Sequence, residues 1–228
     1  MAKLTFHCHA SFSLSDENHT LVFDPFITGN PKATITSDQL EADYILLTHG
    51  HVDHIADAFP IAQRCDATII GSYELAKYFE KQGASVHDMG IGGGFDFPFG
   101  RVKLTHATHS SAFVSDDGTI QYLGNPCGII VQFDGKTFYN TGDTGLFGDM
   151  ALIGRREQPD VVILPIGDNY TMGVDDAVEA VAMIGAKTVI PVHFNTFPII
   201  EQDSSEFVEK VGELAHCIIM APGESVQL

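Results

Sequence analysis

The sequence of 228 residues contains no tryptophan, four cysteines, and only 12 lysine and arginine residues against 30 aspartate and glutamate residues. The resulting formal charge of −18 opposes binding to a nucleic-acid backbone, because such binding depends on cations spaced along the protein surface. We therefore expect no nucleic-acid partner. A few local donors or metal ions can still bind one small anion, so the charge does not exclude a phosphorylated metabolite.

The four cysteines are isolated and form no C-x-x-C pair, so buried thiols in a reducing compartment are expected rather than a disulfide. No apolar run has membrane-spanning length, and no secretory leader stands at the start. We expect a cytoplasmic protein without a membrane partner. Because nothing resembles a linker and the length suits one core, residues 1–228 are expected to form a single domain.

What the sequence does contain is the run T-H-G-H-V-D-H at residues 48–54. Four of its seven side chains can bind metal: His49, His51, Asp53 and His54. An apolar stretch at residues 44–47 predicts a buried strand that ends just before them. Imidazole and carboxylate ligands suit zinc, manganese or iron. A polar surface turn rich in histidine is the alternative, but with 11 histidines in the chain this spacing is a rare coincidence. The run therefore predicts a metal site.

The pattern H-x-H-x-D-H after an apolar strand resembles the signature of the metallo-β-lactamase superfamily. Three further motifs of that superfamily have counterparts here in the same order, containing His109, Asp143 and His193. Within it, the chain resembles a family of small hydrolases of undefined substrate, related to the ascorbate-phosphate lactonases. The matching motifs are H-A-S-F at 9–12, D-P-F at 24–26, H-S-S at 109–111, L-P-I-G at 164–167 and T-M-G at 171–173.

The resemblance implies an α/β (α+β) fold, namely a four-layer αββα sandwich of two mixed β-sheets flanked by helices. It also implies a dinuclear centre of two divalent ions with a bridging hydroxide. The implied ligands are His49, His51 and His109 for the first ion, Asp53, His54 and His193 for the second, and Asp143 as the bridge. Because no thiolate is among them, zinc, manganese, iron and nickel all remain candidates.

Hydrophobic patterning is consistent with layered sheets covered by helices. Apolar stretches predict ten strands, at residues 3–6, 20–23, 44–48, 68–71, 102–105, 127–133, 137–141, 161–165, 188–192 and 217–220. Helical patterns lie at residues 74–81, 175–184 and 204–214. Each candidate ligand follows or ends a predicted strand, so we expect one edge of the sandwich to collect them. Gly142 and Gly145 around Asp143 permit a tight turn there.

Several neighbouring residues allow two interpretations. His106 competes with His109 as the third histidine, and strand alternation points the two to opposite faces. We favour His109, which lies in the H-S-S motif, and interpret His106 as structural. His9 matches an early histidine of the family, which implies a catalytic role beside Asp53 and Asp143; a structural role is the alternative, and His7 is interpreted as structural.

Asp24 either orients a ligating histidine or opens a turn with the proline that follows it. The residues expected to line the substrate pocket lie just after strands that end at the metal edge. They are Ser110, Thr171, Met172, Gly173 and Asn195. Ordinary loop and helix-capping roles are the alternative for these residues, with Asp175 as the cap.

The predicted function is metal-dependent hydrolysis of a small ester, lactone or phosphoester. No G-x-S-x-G motif is present, which agrees with an enzyme that needs no serine nucleophile. One alternative is a phosphodiesterase or nuclease on the same fold; another is a metal-stabilised protein without activity. The expected partner is a small-molecule substrate, and the sequence leaves open whether the chain forms a homo-oligomer.

Overall fold

The computed structural model describes residues 1–228 and contains two seven-stranded sheets and one two-stranded sheet. The strands of the amino-terminal half are β1 (Lys3–Cys8), β2 (Ser11–Ser15), β3 (Thr20–Phe23), β4 (Tyr44–Leu46), β5 (Thr68–Ser72), β6 (Val86–Met89), β7 (Gly94–Phe97) and β8 (Gly100–His106). Those that follow are β9 (Ala112–Val114), β10 (Ile120–Tyr122), β11 (Cys127–Phe133), β12 (Lys136–Asn140), β13 (Val161–Pro165), β14 (Thr188–Val192), β15 (His216–Cys217) and β16 (Ser225–Gln227). The helices are α1 (Val52–Ile55), α2 (Ala58–Cys65), α3 (Tyr73–Glu80), α4 (Met150–Glu157), α5 (Val174–Ile184) and α6 (Ser204–Val211), with 3-10 turns at Ser37–Gln39 and Pro198–Ile200.

Both large sheets are mixed. The first has the order β16-β1-β2-β3-β4-β5-β6 and is parallel from β3 to β6. The second has the order β15-β14-β13-β12-β11-β8-β7 and is parallel from β12 to β15. The strands β9 and β10 form a separate antiparallel hairpin.

The central strands are apolar throughout because both of their faces are buried. Successive side chains of a strand point to opposite faces, and in β13 Ile163 packs between the sheets while Leu164 packs in an outer cluster. Around β4, Leu46 likewise packs between the sheets, whereas Ile45 and Leu47 pack in the other outer cluster. The alternate residues of a continuous apolar run thus pack in the central cluster and in an outer cluster.

Three hydrophobic clusters separate the four layers. A cluster of 23 buried residues joins the two sheets and includes Phe12 and Phe133. One outer cluster of 16 residues contains Phe79 of α3, and the other, also of 16, contains Val181 of α5 and Phe207 of α6. The predicted αββα sandwich is confirmed. The central cluster contains residues from Ala2 to Met220. One core built from both halves of the chain is consistent with a single domain, which stays a prediction.

Several predicted boundaries are wrong. The strand predicted to run to residue 48 ends at Leu46, because the backbone amide of Thr48 donates to Asp24 instead of a neighbouring strand. The strand predicted at 217–220 is the two-residue edge strand β15, from which the chain turns back toward β16. The last helix ends at Val211, since Gly212 adopts φ +50°.

The unpredicted strands are short and polar or lie at sheet edges, as β6, β7 and β16 do. Helices α1, α2 and α4 were also unpredicted. None of the helices combines the length and the apolar composition that crossing a membrane requires.

Candidate metal centre

The side chains predicted to bind metal lie together at one end of the sandwich. His49, His109 and Asp143 each stand three residues after the last residue of a strand, namely β4, β8 and β12, and His193 directly follows β14. In the second sheet β8, β12 and β14 run in the same direction, so their carboxyl ends share one edge. Loops at that edge of a layered sheet commonly form binding sites.

Three imidazoles form a first group. The Nε2 atom of His49 lies 2.9 Å from Nδ1 of His51, and Nε2 of His109 lies 3.3 Å from the same Nδ1 atom. One ring nitrogen from each residue lies within 4.8 Å of the other two. Three neutral imidazoles with converging nitrogens match the donor set of a divalent metal ion.

A second group contains Asp53, His54, His193 and His9, which also offer ligand atoms within 4.8 Å of one another. The Oδ2 atom of Asp53 is 3.8 Å from Nε2 of His193 and 3.2 Å from Nε2 of His9. His9 reaches this group from the turn between β1 and β2, where it adopts φ +57°. The structure therefore places His9 beside the three residues that the resemblance implies as ligands of the second ion.

Asp143 lies between the two groups. Its Oδ2 atom is 3.0 Å from Nε2 of His193 and 3.3 Å from Nε2 of His54, on the side of the second group. The same oxygen is 3.9 Å from Nε2 of His49 and 3.7 Å from Nε2 of His109, on the side of the first. A carboxylate at this position can contact two ions at once.

The electrostatics of the two groups are those of a buried cluster of opposite charges. Although burial opposes ionisation, His193 and His54 hold the pKa of Asp143 well below its usual range. Burial also opposes the charged form of His193, but Asp143 raises its pKa to about 9. In contrast, burial lowers the pKa of His49 well below its usual value. The Asp143 carboxylate thus stays ionised and available to a cation.

The residues present fit a metal ion. His54 is fully buried, yet its Nε2 atom makes no well-aligned hydrogen bond and points toward Oδ2 of Asp143. A buried imidazole nitrogen without a hydrogen-bond partner is uncommon and needs a physical account. A cation between His54 and Asp143 would supply the missing partner. The donors are nitrogen and oxygen atoms without sulfur, which suits several divalent metals.

Hydrogen bonds outside the cluster orient two of its imidazoles. Nδ1 of His54 donates to Oδ2 of Asp24 at 3.1 Å, and Nδ1 of His49 lies 2.9 Å from Oγ1 of Thr48. Thr48 Oγ1 in turn donates to Asp24 Oδ2 at 2.8 Å. In both rings Nδ1 carries a proton, so Nε2 is the nitrogen that would bind a cation. Of the two interpretations of Asp24, orientation of a histidine is the one this geometry supports.

Of the two glycines that flank Asp143, only Gly142 lies where the backbone requires glycine. Gly142 adopts φ +62°, and a Cβ atom there would lie 2.7 Å from the carbonyl oxygen of Cys127. Gly145 has neither a positive φ nor a close contact, so the expectation that both glycines shape this turn holds only for Gly142. Positive φ angles also occur at His9 and His193, and His193 N–H donates to the His9 carbonyl at 2.8 Å.

The structure distinguishes the two candidates for the third histidine ligand, His106 and His109. His106 is exposed at the end of β8, with its ring 5.3 Å from that of Phe147, and belongs to neither group. His109 belongs to the first group. His7 is buried, and its Nε2 atom lies 3.1 Å from Oγ of Ser13. The geometry agrees with structural roles for His106 and His7.

A cavity of about 610 Å³ opens above the two groups. Of the five predicted substrate residues, the structure places only Ser110 in its wall, with Oγ 3.3 Å from Nε2 of His51. Met172 is fully buried in the outer cluster behind β13, and Gly173 is the N-cap of α5. Core packing and helix capping account for these two positions, and neither residue lines the cavity.

Thr171 and Asn195 are also outside the cavity wall. The N–H of Thr171 donates to the Asp168 carbonyl in a tight turn. Asn195 Oδ1 accepts from the N–H of Gln202, so its side chain holds the loop that follows. Tyr170, next to Thr171 in the sequence, lines the cavity instead.

Sequence reasoning also missed the apolar part of the wall. It consists of Phe26, Val52, Ala112, Val114, Phe197, Ile199 and Ile200. Phe26 and Val52 lie inside or next to the recognised motifs, and proximity to a motif is the one signal that pointed to them. Ile199 and Ile200 carry no such signal, because an apolar residue in a loop is more often part of the core.

Comparison with known proteins agrees with this geometry. A family model described as the beta-lactamase superfamily domain matches residues 19–194. The chain belongs to the metallo-β-lactamase superfamily. Its motifs and fold are therefore those of the superfamily that the sequence resembles.

Close relatives cover the whole chain. Over 228 residues it is 50% identical to a UPF0173 metal-dependent hydrolase of Pelotomaculum thermopropionicum, covering 99% of this chain and 100% of that protein. It is 46% identical over 226 residues to a UPF0173 metal-dependent hydrolase of Anoxybacillus flavithermus, with 99% and 100% covered.

A solved structure of Igni18, a novel metallo hydrolase from the archaeon Ignicoccus hospitalis, superimposes with a TM-score of 0.90 at 36% identity, covering 99% of this chain and 97% of that one. The chain is a metal-dependent hydrolase of the metallo-β-lactamase fold, and the predicted family and enzyme class are confirmed.

Proposed function

We propose that this protein is a dinuclear hydrolase of a small ester, lactone or phosphoester, active in the cytoplasm. The observation that carries the proposal is the position of Asp143, whose Oδ2 atom faces imidazole nitrogens of both groups at 3.0–3.9 Å. A carboxylate shared in this way is the feature that distinguishes two coupled ions from one. The proposed ligands are His49, His51 and His109 for one ion, Asp53, His54 and His193 for the other, and Asp143 for both.

When bound, two divalent ions supply a hydroxide nucleophile at neutral pH and polarise the carbonyl or phosphoryl oxygen of the substrate. The protein's own residues then have three tasks. Asp24 and Thr48 keep the protons of His54 and His49 on Nδ1, so that both Nε2 atoms face inward. The carboxylates of Asp53 and Asp143 remain ionised at the cavity floor.

His9 holds Asp53 in position. Burial lowers the pKa of His9 to about 4, so its ring is neutral at pH 7. Because a carboxylate only accepts, Nε2 of His9 donates to Asp53 Oδ2, and Nδ1 then accepts from Oγ1 of Thr196 at 2.9 Å. Although burial opposes ionisation, hydrogen bonds from His193 and His9 hold the pKa of Asp53 below its usual range. We propose that His9 fixes the orientation in which Asp53 meets its ion.

The aromatic wall limits water around the reacting bond. Phe26 and Phe197 line the cavity, and each packs edge-on against His9 with ring centroids 5.8 Å apart. An apolar wall beside charged groups strengthens the electrostatic interactions at the floor. The substrate enters from the open side, where Ser110 and Tyr170 are the polar side chains beyond the floor.

The test combines metal analysis with a substrate panel. Protein purified without a chelator is loaded with zinc, manganese, iron(II) or nickel, and bound metal is counted by elemental analysis. We expect about two ions per chain and turnover of one class among carboxylic esters, lactones and phosphodiesters, abolished by a chelator. Full activity with a single ion would contradict the dinuclear centre.

The expectation that nucleic acid is not a partner is tested on the same preparation. We expect no binding and no cleavage of single- or double-stranded RNA and DNA at low salt, because no lysine or arginine lines the cavity. Chelator-sensitive cleavage would replace the small-molecule proposal by a nuclease. Two bound ions without turnover of any substrate would favour the metal-stabilised, inactive protein, and size-exclusion chromatography would decide whether the chain forms a homo-oligomer.

A further inference from the structure

The cavity above the candidate metal centre has a charged floor and an apolar wall. Its floor consists of two carboxylates and three imidazoles of the proposed ligands. Among the fourteen lining residues eight are hydrophobic when Tyr170 is counted with the seven apolar side chains, and none is lysine or arginine. A substrate reaching the floor therefore leaves its remaining atoms among apolar side chains.

Three of these side chains expose more than half of their surface at the mouth. Val52 is 56% exposed, Val114 57% and Ile199 56%. They come from α1, from β9 and from the 3-10 turn at Pro198–Ile200, which are distant in the sequence. Three separate segments thus present apolar surface to one cavity, and a ligand with an apolar group would remove that surface from water.

The cations of the chain are elsewhere. Lys77, Lys103, Lys187 and Lys210 are engaged in salt bridges with acidic residues outside the cavity. Lys32 lines a different depression, together with acidic and amide side chains. An anionic group held away from the floor would therefore lose water without gaining a partner, which is costly.

We propose that the protein selects uncharged carboxylic esters or lactones with an apolar acyl group and discriminates against an anionic group remote from the scissile bond. This inference rests on the proposed function and narrows its substrate class. Hydrolysis consumes one water: its oxygen bonds to the acyl carbon, the acyl C–O bond breaks, and the departing oxygen takes a proton. The products are a carboxylic acid and an alcohol, joined in one hydroxy acid when the substrate is a lactone.

The first test compares two esters of equal chain length on the metal-loaded protein. The 4-nitrophenyl ester of hexanoate ends in a methyl group, and the mono-4-nitrophenyl ester of adipate ends in a carboxylate. We expect kcat/KM to be at least about tenfold higher for the hexanoate ester than for the adipate ester. It should also exceed that for 4-nitrophenyl acetate by about tenfold, since each buried methylene adds to discrimination.

The second test measures binding without turnover. Hexanohydroxamic acid and the monohydroxamic acid of adipate carry the same metal-binding group and differ at the far end as the esters do. Isothermal titration calorimetry of both ligands against the metal-loaded protein should give a dissociation constant at least about tenfold lower for the uncharged ligand.

A wall variant and a matched control connect the selectivity to the cavity. Ile199→Lys adds a cation at the mouth, and we expect it to reduce the preference for the uncharged ligand about tenfold or to reverse it. Val208→Lys makes the same change on α6 at a residue that is 40% exposed and does not line the cavity. The control should keep the selectivity of the unmodified protein.

The outcomes separate this inference from the proposed function. If none of the esters is hydrolysed but the uncharged hydroxamate binds more tightly, ester hydrolysis is wrong and the selectivity of the cavity stands. If esters are hydrolysed and the anionic ligand is bound or hydrolysed equally well or better, the selectivity is wrong and the hydrolase stands. Unchanged selectivity in Ile199→Lys would also overturn the inference.

Discussion

The Oδ2 atom of Asp24 lies 3.1 Å from Nδ1 of His54, and both side chains are fully shielded from solvent. The same carboxylate accepts hydrogen bonds from the N–H and the hydroxyl of Thr48. Asp24 adopts φ +42°, a backbone conformation that residues other than glycine seldom take. A buried carboxylate in this conformation connects the end of β3 directly to His54 and, through Thr48, to His49, without lining the cavity.

We predict that Asp24→Asn weakens metal binding by about 10- to 100-fold, the range typical for groups that orient a metal ligand. The amide can present its NH2 group to His54 and so no longer specifies which nitrogen carries the proton. The affinity is measured by competition with a chromophoric chelator. Asp116→Asn, at an exposed aspartate that belongs to neither group and does not line the cavity, is the control, and equal affinities of the two variants would contradict the prediction.

Asp143→Ala should remove a ligand from both ions. We expect metal content and kcat/KM to fall together, the latter by more than about a hundredfold, because a ligand contributes more than a group that only supports one. His106→Ala should keep both within about twofold, since that side chain is exposed and lies outside both groups. If His106→Ala loses a metal and His109→Ala does not, the third histidine is misassigned.

His9→Ala should weaken the binding of one metal ion more than the binding of the other. The change removes the hydrogen bond to Asp53, which belongs to the second group, and leaves the three imidazoles of the first group intact. We expect the weaker step of a two-step metal titration to shift by about tenfold or more. Thr196→Val, which deletes the hydroxyl next to Nδ1 of His9, should shift the same step of the titration by a smaller factor. An equal loss in both steps would indicate a general effect on the fold.

We predict that His7 makes the stability of the protein depend on pH. Burial lowers its pKa to about 4, below the value of about 6.5 expected in the unfolded chain. The unfolded state therefore binds more protons as the pH falls, and the contribution of neutral His7, present above about pH 6.5, is lost progressively toward pH 4. This loss amounts to roughly 3 kcal/mol.

Replacing His7 by glutamine removes this titration. Urea unfolding of the metal-free protein at pH 7 and pH 4.5 should show a smaller loss of unfolding free energy in His7→Gln than in the unmodified chain. The glutamine variant starts from a lower stability at pH 7 if the contact of His7 with Ser13 is weakened. The comparison is therefore between the changes in unfolding free energy from pH 7 to pH 4.5, and not between the absolute stabilities. Parallel pH dependences would rule out the contribution of His7.

Local sequence determined the part of the site that lies within one motif. His49, His51, Asp53 and His54 occupy one turn and the first residues of α1, so their spacing alone pairs His49 with His51 in the first group and Asp53 with His54 in the second. The buried strands β13 and β14 were predicted with correct boundaries, because a strand buried on both faces is apolar at every position. Edge strands such as β15 and β16 lack this signal, since only part of their surface is covered.

Tertiary structure alone decided the rest. The contact between His9 and Asp53 joins residues 44 positions apart, and the mouth formed by Val52, Val114 and Ile199 collects three distant segments. Neither feature follows from periodicity, because a periodic pattern tells which side of an element is buried but not which other element covers it. The sequence by itself therefore determined the family, the fold class and the candidate ligands. The packing of the two sheets and their loops decided which side chains surround them, and thus the apolar cavity that a substrate meets.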